Sequence, residues 1–117
     1  MSKGEIMSDI LLSALRAHET LHANASSNIA NMNTRDYKSI RTTLIESPCG
    51  GVSARTERSA TEGMPTVDGH CTSNVDLPQE ICDMILAQRG FEAVLGAIGV
   101  REEMLDDLMN TLSGPGR

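Results

Sequence analysis

Two apolar seams with a seven-residue repeat occupy opposite ends of this chain, and the middle belongs to neither. The C-terminal seam runs Ile81, Met84, Gln88, Phe91, Leu95, Ile98, Glu102, Leu105, Met109 and Leu112, at alternating spacings of three and four. That spacing is the seam of one helix packed along another. Asp76 and Pro78 suit a helix start, as cap and first-turn residue, and Gly114 with Pro115 suits a stop. From Pro78 to Leu112 the rod would be roughly 50 Å long at about 1.5 Å per residue. The N-terminal seam is Met7, Leu11, Ala14, His18, Leu21, Ala25, Asn28 and Met32, smaller and more polar, and it runs into a polar turn at Asn33 to Asp36. The expected fold is mainly α: long antiparallel N- and C-terminal helices forming a coiled-coil hairpin, with a short irregular or β-hairpin middle. Such a chain points towards assembly with others and away from an enclosed pocket.

The 117 residues allow one small domain. Tyr37 and Phe91 are its only aromatic residues, few for a compact globule of this size. Gln88 and Glu102 interrupt the C-terminal seam, and Gly90, Gly96 and Gly99 each weaken the helix by about 1 kcal/mol relative to Ala. An isolated hairpin of this kind gains much of its stability from neighbours.

The net charge of −6 argues against nucleic acid or an anionic membrane as partner. The imbalance is local. Asp76 to Leu112 carries eight acids against two bases, and Arg35 to Arg58 five bases against three acids. These are either two solvated faces or a basic middle that meets the acidic helix of another subunit. No apolar run is long enough to span a bilayer, and Met1 to Ile10 does not read as a secretory signal. The expectation is a cytosolic protein, or one that leaves by a route needing no cleaved signal.

Residues 38–75 change character, rich in Ser, Thr, Gly and Pro. The organisation reads as 1–37, helix and turn; 38–75, connector; 76–113, helix; 114–117, tail. Ser39 to Ile45 and Gly51 to Ala54 are strand-like, Met64 to Val67 weakly so, and Ser53 to Gly63 reads as flexible. Cys82, beside the seam, reads as a small packed residue. Cys49 and Cys71 both lie in the connector, where a disulfide in an oxidising compartment stays open.

His18-Glu19-Thr20-Leu21-His22 matches the H-E-x-x-H pattern, which on a helix sets two imidazoles on one face for zinc and a glutamate to activate water. A zinc enzyme needs a third ligand, for which His70 is the only other histidine, and a substrate cleft. Seam position gives His18 a simpler role, facing a partner helix. We therefore expect neither a metal nor a cofactor. Asn24, Asn28 and Asn31 share one helix face at i, i+4 and i+7. Asparagine is a poor mid-helix residue, so such a cluster suggests amides with fixed partners. Asn28, on the seam, suits polar registry, in which a buried amide fixes alignment at a cost in stability. On that reading Asn28→Leu would raise stability and damage assembly.

The segment Ser26-Ser27-Asn28-Ile29-Ala30-Asn31-Met32-Asn33-Thr34-Arg35-Asp36-Tyr37-Lys38 resembles the N-terminal signature of bacterial flagellar rod and hook proteins. Ser73-Asn74-Val75-Asp76-Leu77, followed by Glu80, Met84, Ala87-Gln88-Arg89 and Phe91-Glu92-Ala93, resembles the C-terminal motif of the same family. Asp36 departs from the usual Gly, Arg35 from a frequent Pro, and Val94 from a common Asn. Length and the Asn-Val-Asp-Leu form are most similar to the proximal-rod members, because distal-rod and hook members insert large β domains. The resemblance implies a non-enzymatic structural subunit of the basal-body rod, exported unfolded through the flagellar type III apparatus without a cleaved signal. It implies assembly in the periplasm with other rod subunits and with copies of itself, with the terminal helices as the inner layer and no membrane insertion. The expected assembly contacts are Leu11, Leu21, Asn28, Ile29, Asn31, Tyr37, Ile81, Met84, Gln88, Phe91, Leu95, Ile98 and Leu105. A small zinc peptidase and a soluble coiled-coil adaptor are the alternatives.

Overall fold

The computed structural model describes residues 3–114, so Pro115 and most of the expected tail lie outside the described residues. Two long helices, α1 (Lys3–Ala30) and α2 (Leu77–Ser113), flank two strands, β1 (Ile40–Glu46) and β2 (Val52–Arg58). The strands pair antiparallel, from Ile40 opposite Arg58 to Glu46 opposite Val52. The architecture is thus the expected one, mainly α with a β-hairpin middle. At about 1.5 Å per residue, α2 is about 55 Å long.

The start of α2 follows its local chemistry in part. Asp76 holds the cap position with extended backbone, and its carbonyl accepts from the Glu80 N–H at 3.1 Å. Its side chain makes no capping hydrogen bond, contrary to the expectation. Pro78 sits in the first turn, where a missing N–H leaves no helical bond unmade. At the other end Gly114 takes φ 74°, and its N–H donates to the Thr111 carbonyl at 3.2 Å.

The helices run antiparallel. His18 of α1 lies against Gly90 of α2, and the Arg101 guanidinium donates to the Gly4 carbonyl at 2.7 Å and the Ser8 hydroxyl at 2.6 Å. A Cβ on Gly90 would clash with the His18 ring, nearest its Cε1. The glycine read as a weak point therefore clears space for a side chain of the other helix.

The β-hairpin is a layer laid along α1. Its tip rests on Ser13, whose hydroxyl accepts from the Val52 N–H at 3.1 Å. Gly51 lies so close that a Cβ there would strike the same hydroxyl, and its φ of 87° suits glycine. At the other end Asn28 grips Ile40. Ser13 to Asn28 spans about 22 Å of helix, close to the length of seven strand residues at about 3.4 Å each. Ser53 to Arg58, expected to be flexible, is ordered strand because β1 pairs with it and α1 supports it. Met64 to Val67 supplies only an isolated bridge, Pro65 to Cys71.

All three cysteines are free. Cys49 sits in the hairpin turn whose Gly51 lies against Ser13, whereas the Cys71 N–H donates to Asp36 beyond the opposite end of α1. The two therefore do not pair within the chain. Among the described residues no helix is long and apolar enough to cross a membrane.

The apolar core is minimal. Among the described residues Ala17, Ala25 and Ala87 are the buried apolar ones, while 19 large apolar side chains are exposed. The surface is 8277 Å², against about 6200 Å² for a compact monomer of this mass. The radius of gyration is 20.7 Å and the extents are 81 × 26 × 14 Å, whereas a globule of this length has a radius near 13 Å.

Candidate assembly surface

The polar framework comes first, because it fixes how the apolar faces are presented. Asn28 is fully buried. Its Oδ1 accepts from the Ile40 N–H at 2.8 Å and the Tyr37 hydroxyl at 3.0 Å, and its Nδ2 donates to the Ile40 carbonyl at 2.8 Å. The Ser59 N–H donates to the Ser39 carbonyl. Backbone groups alternate sides along a strand, so those of Ile40, one residue on, point away from β2. The Asn28 amide thus satisfies both groups of a strand edge, as a third strand would. The registry reading of Asn28 is therefore corrected: the amide sets helix against hairpin inside one subunit. The reason is geometric. At about 100° per residue Asn28 lies about 80° around α1 from His18, so the repeat drifts off the inter-helix seam.

Asn24 continues the pattern one turn earlier. Its Nδ2 donates to the hydroxyls of Thr42, at 2.8 Å, and Thr56, at 3.3 Å, which face each other across the hairpin. Asn31 turns inward on its own helix end, donating to the Ser27 carbonyl at 2.9 Å and accepting from the Thr34 hydroxyl at 3.0 Å. The three amides thus have fixed partners, as their clustering on one face suggested.

The two sequence signatures meet in space. The Asn74 N–H donates to the Tyr37 carbonyl at 3.2 Å. Its Oδ1 accepts from the Ser39 N–H at 2.6 Å, and its Nδ2 donates to the Ser59 hydroxyl and the Thr61 carbonyl. Arg58 lies over the Tyr37 ring, 5.5 Å from its centroid. Tyr37, expected as an assembly contact, is tied inside the subunit by its hydroxyl. Asn74 was absent from the expected contacts. Its signal was its place in the second signature, but nothing in the sequence named Ser39 and Tyr37 as partners.

Asp36 closes the same junction. It is the only non-glycine with positive φ among the described residues, at 58°, a conformation Asp tolerates better than most. Its Oδ1 accepts from the Cys71 N–H at 2.7 Å, and its Oδ2 lies 2.8 Å from His70 Nδ1. The Cys71 bond first and the His70 bond second hold its carboxyl below the ordinary value of 3.8. A glycine could take the turn but make neither bond. Desolvation, then the hydrogen bond and charge of Glu62, push the Cys71 thiol above 9.0, so it is not a thiolate at neutral pH.

Charge is also used within the subunit. Glu80, 1% exposed, lies 3.4 Å from the Arg41 guanidinium, which also reaches Asp83 at 3.8 Å. The basic middle thus meets the acidic helix of its own chain.

His18, Glu19 and His22 line an open cleft with Ala87, Gln88, Phe91 and Glu92. Among the described residues the buried His18 Nδ1 finds no hydrogen-bond partner. His70 is engaged with Asp36. Among the described residues no group of three or more His, Cys, Asp or Glu is placed to hold a metal.

The expected contact residues divide by exposure. Ile81, Gln88, Leu95 and Leu105 are exposed; Leu11, Leu21, Ile29, Asn31, Tyr37, Met84, Phe91 and Ile98 are half-buried; Asn28 is internal. Sequence reasoning passed over Ile6, Ile10, Ile85, Leu86, Val100, Met104 and Leu108, all exposed. They lie beside the strict heptad positions, on the outer faces.

Comparison with known proteins gives one family match. Residues 72–111 match the family model described as flagellar basal body rod FlgEFG protein C-terminal. No curated protein matches the chain. The matched stretch, about a third of the chain, is Asn74 of the junction and nearly all of α2, and it supports the resemblance to the flagellar basal-body rod proteins.

Proposed function

We propose that the chain is a structural, non-catalytic subunit of the bacterial flagellar basal-body rod, polymerising through its terminal helices into the axial drive shaft. The observation that carries the reading is the ratio of core to surface among the described residues: three buried alanines against 19 exposed large apolar side chains, on a body 81 Å long. Exposed apolar surface on that scale marks interaction sites. The match over α2 and the convergence of both signatures on one junction support the rod family in particular. Within it, the reading is a proximal-rod subunit of the type often called FlgC, favoured because the connector holds only a two-stranded hairpin and no large β domain. Its neighbours are other rod subunits and copies of itself, reached in the periplasm by type III export.

The test is a deletion strain in a background without a paralogue. The proposal predicts loss of motility and of rods in purified basal bodies, both restored by the wild-type gene. A motile deletion strain with intact rods would overturn it.

A further inference from the structure

The rod reading puts assembly on the terminal helices but does not say what chemistry covers the last third of α2. Every residue from Glu102 to Ser113 is exposed, because α2 runs on past Arg101, the residue that clasps Gly4 and Ser8 near the described start of α1. At about 100° per residue this tip is sharply two-sided. Val100, Met104, Leu105, Leu108, Met109 and Leu112 fill one half of the helix circumference, and all are exposed, Leu112 to 75%. Glu102, Glu103, Asp106 and Asp107 fill the other half. Among the described residues none of these four carboxylates has an ion-pair partner, since Arg101, the last base before Ser113, is engaged with α1. The acids also lie near the negative end of the helix dipole, with no base in the last turn. The tip is thus poorly built to stand alone.

We infer that the α2 tip docks an amphipathic helix of a different protein, one with an apolar stripe and basic flanks. Charge selects this occupant over a second copy. Helix α1 carries three acids against two bases and α2 seven against two, so both helices of another copy are net negative and neither offers basic flanks to the acidic tip. The hairpin arginines are already used: Arg41 by Glu80 and Asp83, Arg55 by Glu57, and Arg58 by Tyr37 and the Lys38 carbonyl. The inference rests on the assembly reading and names one of its neighbours by chemistry.

The probes are two synthetic amphipathic helices with the same apolar stripe, one flanked by Lys and Arg, the other by Glu. Each is titrated with the full chain by fluorescence anisotropy at low and moderate salt. The expected result is binding of the basic probe at least tenfold tighter than the acidic one, weakened by salt. Leu108→Asp should lose at least tenfold for the basic probe although it adds negative charge, and reversing Glu102, Glu103, Asp106 and Asp107 to Lys should invert the preference. These positions are exposed, and circular dichroism checks that the variants keep their helix. Undiminished binding by Leu108→Asp would reduce the contact to bulk charge and overturn the inference. So would equal binding of both probes, or self-association through the tip at low salt. A failed peptide assay removes only the tip assignment, whereas a motile deletion strain removes the rod reading itself.

Discussion

Replacing Asn28 by leucine separates two accounts of the same residue. A seam amide that only fixes alignment would be improved by leucine. The observed amide would not, because it satisfies the Ile40 N–H, the Ile40 carbonyl and the Tyr37 hydroxyl in a fully buried position. Losing it orphans two backbone groups, at about 1–3 kcal/mol each. Leucine recovers about 1–2 kcal/mol by apolar burial, which leaves a net loss of about 3 kcal/mol. That is a large share of the stability of a small domain. Urea denaturation followed by far-ultraviolet circular dichroism measures it as a lower midpoint at unchanged slope. Amide exchange at Ile40 is the local readout, faster by roughly two powers of ten for about 3 kcal/mol. A variant as stable as wild type, with Ile40 still protected, would refute the reasoning.

Other predictions follow from the same packing. Gly90→Ala should destabilise by about 1–2 kcal/mol through its clash with His18, yet stabilise by up to about 1 kcal/mol once His18→Ala removes the ring; a thermal double-mutant cycle measures both. Gly96→Ala and Gly99→Ala meet open space and should each raise subunit stability by up to about 1 kcal/mol. Arg41→Leu strands the buried Glu80 and should lower stability by about 2 kcal/mol, with partial recovery on adding Glu80→Gln. Because folding lowers the Asp36 pKa from 3.8, its contribution is present above that pH and lost as pH falls through the folded value. Asp36→Asn should remove this acid-limb dependence, and an unchanged pH profile of the midpoint would count against the assignment. Phe91 is only half-buried, so Phe91→Ala should cost about 1–2 kcal/mol, short of the roughly 3 kcal/mol or more of a fully buried ring.

The helices were legible because a seven-residue repeat, Pro78 and Gly114 are local signals. The second strand was not legible in full. Ser53 to Arg58 reads Ser-Ala-Arg-Thr-Glu-Arg, with no apolar alternation, and it is strand because β1 pairs with it and Asn24 holds Thr56. Gly90 shows the limit from the other side. A helix-weakening glycine and one that admits a histidine from another helix look the same in one sequence. The candidate surface was half legible: the heptad rule found Ile81, Leu95 and Leu105, but a helix packed on one side only presents its outer residues too. Asn28 was singled out for the right reason, burial of an amide, and given the wrong partner, because nothing local ties it to a strand edge twelve residues on.

Methionine oxidation in isolated basal bodies tests the central claim most directly, since Met7, Met104 and Met109 report on the helix faces and are 53%, 65% and 65% exposed in the subunit. If the chain is a rod subunit built through those faces, it is present in purified basal bodies and these methionines oxidise at least tenfold more slowly there than in the free protein. Absence of the chain from basal bodies, or equal oxidation in both states, would contradict the account.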